Sequence, residues 1–259
     1  MTIALAVGAF GALIGSFLNV VVHRVPARRS VVSPPSACGA CGHAIRPYDN
    51  IPIVSWLVLR GRCRDCRAPI SPRYPLVELA TALVFAIVAW VFAPAIIAAT
   101  TPTALAAAIV QLVAYLYLAA ISIALALIDL DTRRLPNVLV VPSYVVGGVL
   151  LTLVAALTGE WVALATAGLG LAIWGGLYFA LAVIWPGGMG FGDVKLAGVL
   201  GLFLGFLAGG IFGVALMLAG RGRKAAIAFG PWMLLGAWVG ILGGPAIFRA
   251  YLGLLGLAL

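Results

Sequence analysis

Stretches of about 20 residues with almost no charge dominate this chain, and a helix of that length crosses a hydrocarbon core of about 30 Å. Residues 3–22, 105–128, 139–157, 162–184 and 227–247 are such stretches, and 77–99 carries one charge, Glu78. The glycine-rich stretch 194–220 is long enough for two short helices broken near Gly205 to Gly210. The expected fold is therefore all-α: a polytopic membrane helical bundle of about eight transmembrane helices, or seven if 194–220 crosses once. Of the 259 residues, 64% are apolar and 9% charged, against about a quarter charged in a soluble domain, which excludes an ordinary soluble fold.

Basic residues then set the orientation, because Lys and Arg are retained in cytoplasmic loops. The polar segment 23–75 holds nine of the sixteen, including HRVPARR directly after the first span. That span lacks a positive leading region and a small-residue cleavage site, so it is expected to stay as a helix with its N-terminus outside. Counting crossings from there puts Arg133, Arg134, Lys195 and Arg221 to Lys224 on the cytoplasmic face, and only Arg249 opposite. A net charge of +9 spread over short loops, with no aromatic-interleaved basic face, argues against nucleic acid as a partner. The 32 glycines suit close approach of helix backbones, and no repeat of 20 to 50 residues stands out.

All four cysteines lie in the polar loop, as Cys38-x-x-Cys41 and Cys63-x-x-Cys66. Paired thiols at this spacing can wrap one ion, which favours a structural zinc site of four thiolates over a redox dithiol or disulfides in a reducing compartment. Such a site has no open coordination position. Its expected role is to fold a small cytoplasmic loop domain too poor in apolar residues for its own core.

Three of the seven acidic residues fall at span ends on the cytoplasmic face: Asp129 and Asp131 in ALIDLDTRRLPN, and Asp193 in GMGFGDVK. Ionisable groups in a membrane are costly and are functional candidates, though interfacial ion pairs with Arg133, Arg134 or Lys195 would also account for them. Two aspartates brought together can share a proton, one activating water while the other polarises a scissile carbonyl. No HExxH or GxSxG occurs, and the spans contain no histidine, so zinc and serine proteolysis are excluded. Glu78 and Asn19, polar residues at a membrane edge, are candidates to touch substrate or the methyl donor, with a structural hydrogen bond the favoured reading.

Together these motifs resemble the type IV prepilin peptidase family of GxGD aspartyl proteases. GFGD at 190–193 matches the family signature and implies Asp193 as one catalytic residue, with Gly190, Gly192 and Lys195 in the substrate loop. DLDTRRLPN implies Asp129 as the other, because the family's aspartate stands seven residues before the proline; Asp131 is the fallback. GSFLNVVVHRVP, the four cysteines, YDNIPIVSWL and SPRYPLVELATA are similar to the bifunctional members, which also methylate the new N-terminal amine with S-adenosylmethionine. A departure is AFGP, with Ala228 where the family often has proline.

The resemblance implies residues 1–22 as a first transmembrane helix, 23–75 as a zinc-binding domain associated with N-methylation, and 76–259 as the protease domain. It implies an inner-membrane enzyme acting at the cytoplasmic face on prepilins or type II secretion pseudopilins. The rival readings are a peptidase that no longer methylates and a non-catalytic scaffold or transporter with a zinc-stapled loop. Acidic residues near span ends rather than at the midplane speak against a transporter.

Overall fold

The computed structural model describes residues 1–184, 190–204 and 230–254. They form α1 (Thr2–Arg24), a single 3-10 turn (Pro47–Asn50), α2 (Val54–Val58), α3 (Arg73–Ile97), α4 (Pro102–Thr132), α5 (Asn137–Thr158), α6 (Trp161–Ile184), α7 (Phe191–Leu204) and α8 (Gly230–Leu254). Among the described residues there is no β-strand, only two isolated bridges in the cysteine loop. Five helices, α1 and α3 to α6, are long and apolar enough to cross a membrane. This is an all-helical, multi-pass membrane protein. The remaining expected crossings involve 194–220 and 227–247, and the break placed near Gly205 to Gly210 lies outside the described residues.

The chain divides into two compact units, residues 1–99 with 115–124, and 100–114 with 125–259. In the first, α1 runs antiparallel against α3 along a seam of glycines. A Cβ added to Gly11 would lie 2.7 Å from Phe85 Cβ, and one added to Gly15 would lie 2.7 Å from Glu78 Cα. Lipid tails are as apolar as leucine, so close packing over small residues has to hold such a seam together. Gly11→Ala is expected to lower stability by about 1–3 kcal/mol, the usual cost of overpacking. Gly148→Ala, where an added Cβ meets nothing within 4 Å, should leave it unchanged; thermal unfolding in detergent separates the two.

The same unit holds the cysteine loop, where two knuckles share one pattern of hydrogen bonds. Cys38 N donates to His43 O and Gly42 N to Cys38 O, both at 2.9 Å. Twenty-five positions later, Cys63 N donates to Ala68 O at 2.8 Å and Arg67 N to Cys63 O at 3.1 Å. Each knuckle turns back through a left-handed residue, Gly42 (φ 72°) in the first and Arg67 (φ 61°) in the second. The sequence shows no long repeat, yet these short segments are structurally equivalent. They are too brief for a periodicity to register.

In the second unit α7 packs against α5, α6 and α8. Gly201 lets α7 meet the backbone of α6 at Gly170, and Gly147 of α5 leaves room for Phe203. The start of α4 is set by Thr101, whose hydroxyl accepts from Ala104 N at 3.1 Å, with Pro102 in the first turn. Its end comes at Arg133, a left-handed cap (φ 53°) whose N–H donates to Asp129 O. The helix therefore continues past the apolar stretch 105–128 and carries both Asp129 and Asp131.

Candidate active site

Asp129 and Asp131 are two positions apart on α4 and so point in different directions. Asp131 is exposed, while Asp129 is 4% exposed. A carboxylate removed from water needs hydrogen-bond donors. Asp129 Oδ2 accepts the backbone N–H of Gly230, 101 residues away at the start of α8, at 2.9 Å. A Cβ on Gly230 would sit 2.9 Å from the same oxygen, so a larger residue there would have to push the Asp129 carboxylate aside.

Asp193 is the third residue of α7, and the GFGD segment builds its entry. Asp193 N donates to Gly190 O at 3.0 Å, and Gly190 N donates back to Asp193 Oδ2 at 3.3 Å. The Asp193 carboxylate thus makes the N3 half of a capping box, in the place usually taken by Glu or Gln, while the other bond is backbone to backbone because Gly190 has no side chain. Gly192 answers a separate need. A Cβ there would lie 3.0 Å from Leu135 Cβ, and Leu135 also flanks Gly230 on the Asp129 side, its Cδ2 3.4 Å from a Cβ placed on that glycine. Leu135 thus lies between Gly192, the residue before Asp193, and Gly230, whose N–H binds Asp129.

Lys195 turns to α5, its Nζ donating to Asn137 Oδ1 at 3.0 Å. Its carbonyl accepts from the hydroxyl of Tyr144, which reaches α7 over Gly198. Leu135, Asn137, Tyr144 and Gly230 are neighbours that sequence reading passed over. Leu135 and Asn137 flank Pro136 in the RRLPN segment, and Gly230 is the glycine of AFGP, a motif noted only for its departure at Ala228.

The four cysteine sulfurs lie within 4.8 Å of one another, with Cys38 and Cys66 Sγ 3.8 Å apart. A tetrahedral ion with metal–sulfur bonds of about 2.3 Å requires sulfurs about 3.8 Å apart, so the cluster fits a metal ion. Backbone N–H groups of Cys41 and then Ala40 hold the Cys38 thiol down to about 6. Cys41, despite the backbone N–H of His43, is pushed up to about 12 by burial and by its neighbouring sulfurs. The second knuckle is fastened to the segment before α2 by two crossed ion pairs, Arg46–Asp65 at 3.2 Å and Arg64–Asp49 at 2.6 Å. Arg64 holds the Asp49 carboxyl below its ordinary range.

A multi-pass membrane protein with an aspartate near the end of each of two helices and a loop of four clustered cysteines is the class defined so far. Residues 9–92 match the family model described as the bacterial peptidase A24 N-terminal domain, and residues 116–258 match that of the type IV leader peptidase family. The chain belongs to the type IV leader peptidase family. It is 38% identical to a prepilin leader peptidase/N-methyltransferase of Pseudomonas aeruginosa, over 93% of this chain and 91% of that protein. Proteins of the same name from Aeromonas salmonicida and Burkholderia pseudomallei are 36% and 33% identical, over 94% and 91% of this chain and 91% and 84% of theirs. No solved structure matches.

Proposed function

We propose that this chain is an aspartyl endopeptidase that removes the leader from prepilins or pseudopilins at the cytoplasmic membrane face, and that it methylates the amine so exposed. The observation that carries the peptidase reading is that Leu135 packs against both Gly192, next to Asp193, and Gly230, whose N–H binds Asp129. The mechanism needs no metal and no nucleophilic side chain. One carboxylate takes a proton from water, which attacks the scissile carbonyl; the other, protonated, donates to the carbonyl oxygen and later helps the amine leave. The substrate lies along the entry to α7, where Gly190 precedes the helix and Gly192 and Lys195 stand within its first two turns rather than in a loop. The Gly230 N–H steadies Asp129 through the cycle. Gly230→Ala is expected to lower kcat by about 10- to 100-fold by displacing that carboxylate, read from initial rates on a purified prepilin.

In this reading residues 1–22 are the first transmembrane helix, 23–75 the metal-binding domain that serves methylation, and 76–259 the protease domain, the first helix of which, through residue 99, belongs to the same compact unit as the cysteine loop and can serve methylation too. The metal is zinc, held by Cys38, Cys41, Cys63 and Cys66, and its part is structural because four thiolates leave no open position. S-adenosylmethionine is the methyl donor. Support for both activities comes from the relatives' shared name, prepilin leader peptidase/N-methyltransferase.

Mass spectrometry of a prepilin incubated with the purified enzyme and methyl donor tests both activities at once. The expected product has lost its leader and gained one methyl group at the new N-terminus. An uncut prepilin would overturn the peptidase reading, and a cut but unmethylated one would leave a peptidase alone.

A further inference from the structure

Transfer of a methyl group to an N-terminal amine faces an obstacle that peptide cleavage does not. The α-amino group has a pKa of about 7.7–8.0, so near neutral pH it is mostly an ammonium without a lone pair to attack with. Something must hold that ammonium and take its proton. Within the residues matching the N-terminal family model there are three carboxylates: Asp49, Asp65 and Glu78. Asp49 and Asp65 are each bound to an arginine of the knuckle region. Glu78 differs. It is 8% exposed, sits at the floor of the α1–α3 seam against Gly15, and its Oε2 accepts the backbone N–H of Ile53 at 2.7 Å.

The turn that Glu78 holds is strained. Ile53 has φ 63° and ψ −51°, and Val54 N donates to Pro52 O at 2.6 Å across it. This is a γ-turn of the unfavourable hand, rare for any residue and more so for a β-branched one. Such strain persists where its surroundings over-determine it and gathers at functional sites. Ser55 pins the turn from its other side, accepting from Ile51 N and donating to Tyr48 O, both at 3.0 Å. Asn19, one helical turn beyond Gly15 on α1, donates to Tyr74 O at 3.2 Å, one turn before Glu78 on α3. A carboxylate and an amide group thus line one edge of the seam, under a turn held in place at an energetic cost.

We propose that Glu78 is the amine-side residue of methyl transfer, binding the α-ammonium of the cleaved substrate and accepting its proton. The inference rests on the methyltransferase half of the function proposed above. The ammonium gives a proton to the Glu78 carboxylate. The freed lone pair then forms the N–C bond while the methyl carbon's bond to the sulfonium sulfur breaks, and sulfur keeps that electron pair as a neutral thioether. Glu78 returns its proton to water. A rival base on these elements, the imidazole of His23 on α1, is exposed one turn beyond Asn19, whereas Glu78 is buried. Toward Glu78, α1 presents Gly15 and Asn19, and its buried Arg24 binds Ser30 O. The segment before α2 presents the Ile53 N–H, its own charges being joined as Asp49–Arg64 and Arg46–Asp65. On α3, Arg73 and Tyr74 precede Glu78, and the part of α4 in this unit adds Tyr115 and Tyr117.

The test uses the full-length enzyme and Glu78→Gln, which keeps an oxygen to accept the Ile53 N–H. Without methyl donor, the wild type is expected to bind a leaderless peptide with a free N-terminus about 10-fold more tightly than its acetylated form, the preference a charge-assisted bond gives. Glu78→Gln should lose that preference while cutting prepilin at the wild-type rate. With labelled S-adenosylmethionine, its methylation should fall by about 100-fold at pH 6.5. Much of that loss should return by pH 9, where the amine sheds its own proton. Wild-type methylation by Glu78→Gln, or a loss equal at every pH with the free-amine preference intact, overturns the proposal. A wild-type enzyme that transfers no methyl removes the underlying reading and this inference with it.

Discussion

Asp129→Asn and Asp193→Asn are each expected to reduce prepilin cleavage by at least about 1,000-fold, and the double variant by little more, because residues that act as one unit do not add. Asparagine is close in size and keeps an oxygen that can accept the Gly230 N–H seen on Asp129. It cannot exchange a proton with water. The fold and membrane insertion should therefore survive while turnover is lost, as gel analysis of a co-expressed prepilin and membrane fractionation would show. Asp131, exposed two positions along the same helix, is the internal control. Asp131→Asn should change the rate by less than about 3-fold, in line with a surface substitution. Normal processing by either of the first two variants would refute the dyad.

Removing the metal should have an equally large effect on a different property. Residues 25–72 contain one 3-10 turn and one five-residue helix, and few of their side chains are buried. Such a segment has almost no core to set against chain entropy. In zinc-finger peptides, metal binding supplies about 10–16 kcal/mol that the apo chain lacks. Chelation, or Cys38→Ser with Cys66→Ser, is thus expected to unfold the loop and open Arg60, Arg62, Arg64 and Arg67 to trypsin, leaving the long helices intact. Metal analysis should give one ion per chain in the native protein. A loop that resists trypsin equally well after its metal is stripped would show that the ion does not hold it.

Much of this was legible in the sequence because it was local. Apolar runs marked the five long helices, paired cysteines marked the knuckles, and GFGD marked a glycine-built entry to a helix. What escaped depends on distant parts of the chain meeting. Nothing within AFGP says that its glycine donates to a carboxylate 101 residues earlier. Leu135 reads as an ordinary apolar residue before a proline, yet Gly192 and Gly230 both leave room for it. The extent of α4 was underestimated for a different reason. Hydropathy registers where apolar residues stop, whereas the helix runs on to the left-handed cap at Arg133. Asn19 and Glu78 were expected to make structural hydrogen bonds, and both do. Only the three-dimensional arrangement shows that the bond to Glu78 restrains a strained turn.

The position of the two aspartates along their helices has a further consequence. Asp129 stands three residues before the last residue of α4, and Asp193 is the third residue of α7. Each carboxylate is therefore within about 5 Å, one helical turn, of where its helix ends. A peptide bond inside an intact substrate helix has its carbonyl engaged and its backbone shielded by side chains. A bond at the junction between a polar leader and an apolar helix is open to attack. On the proposed reading, a dyad so near its helix ends would cut where a substrate's helix begins and spare the rest of it.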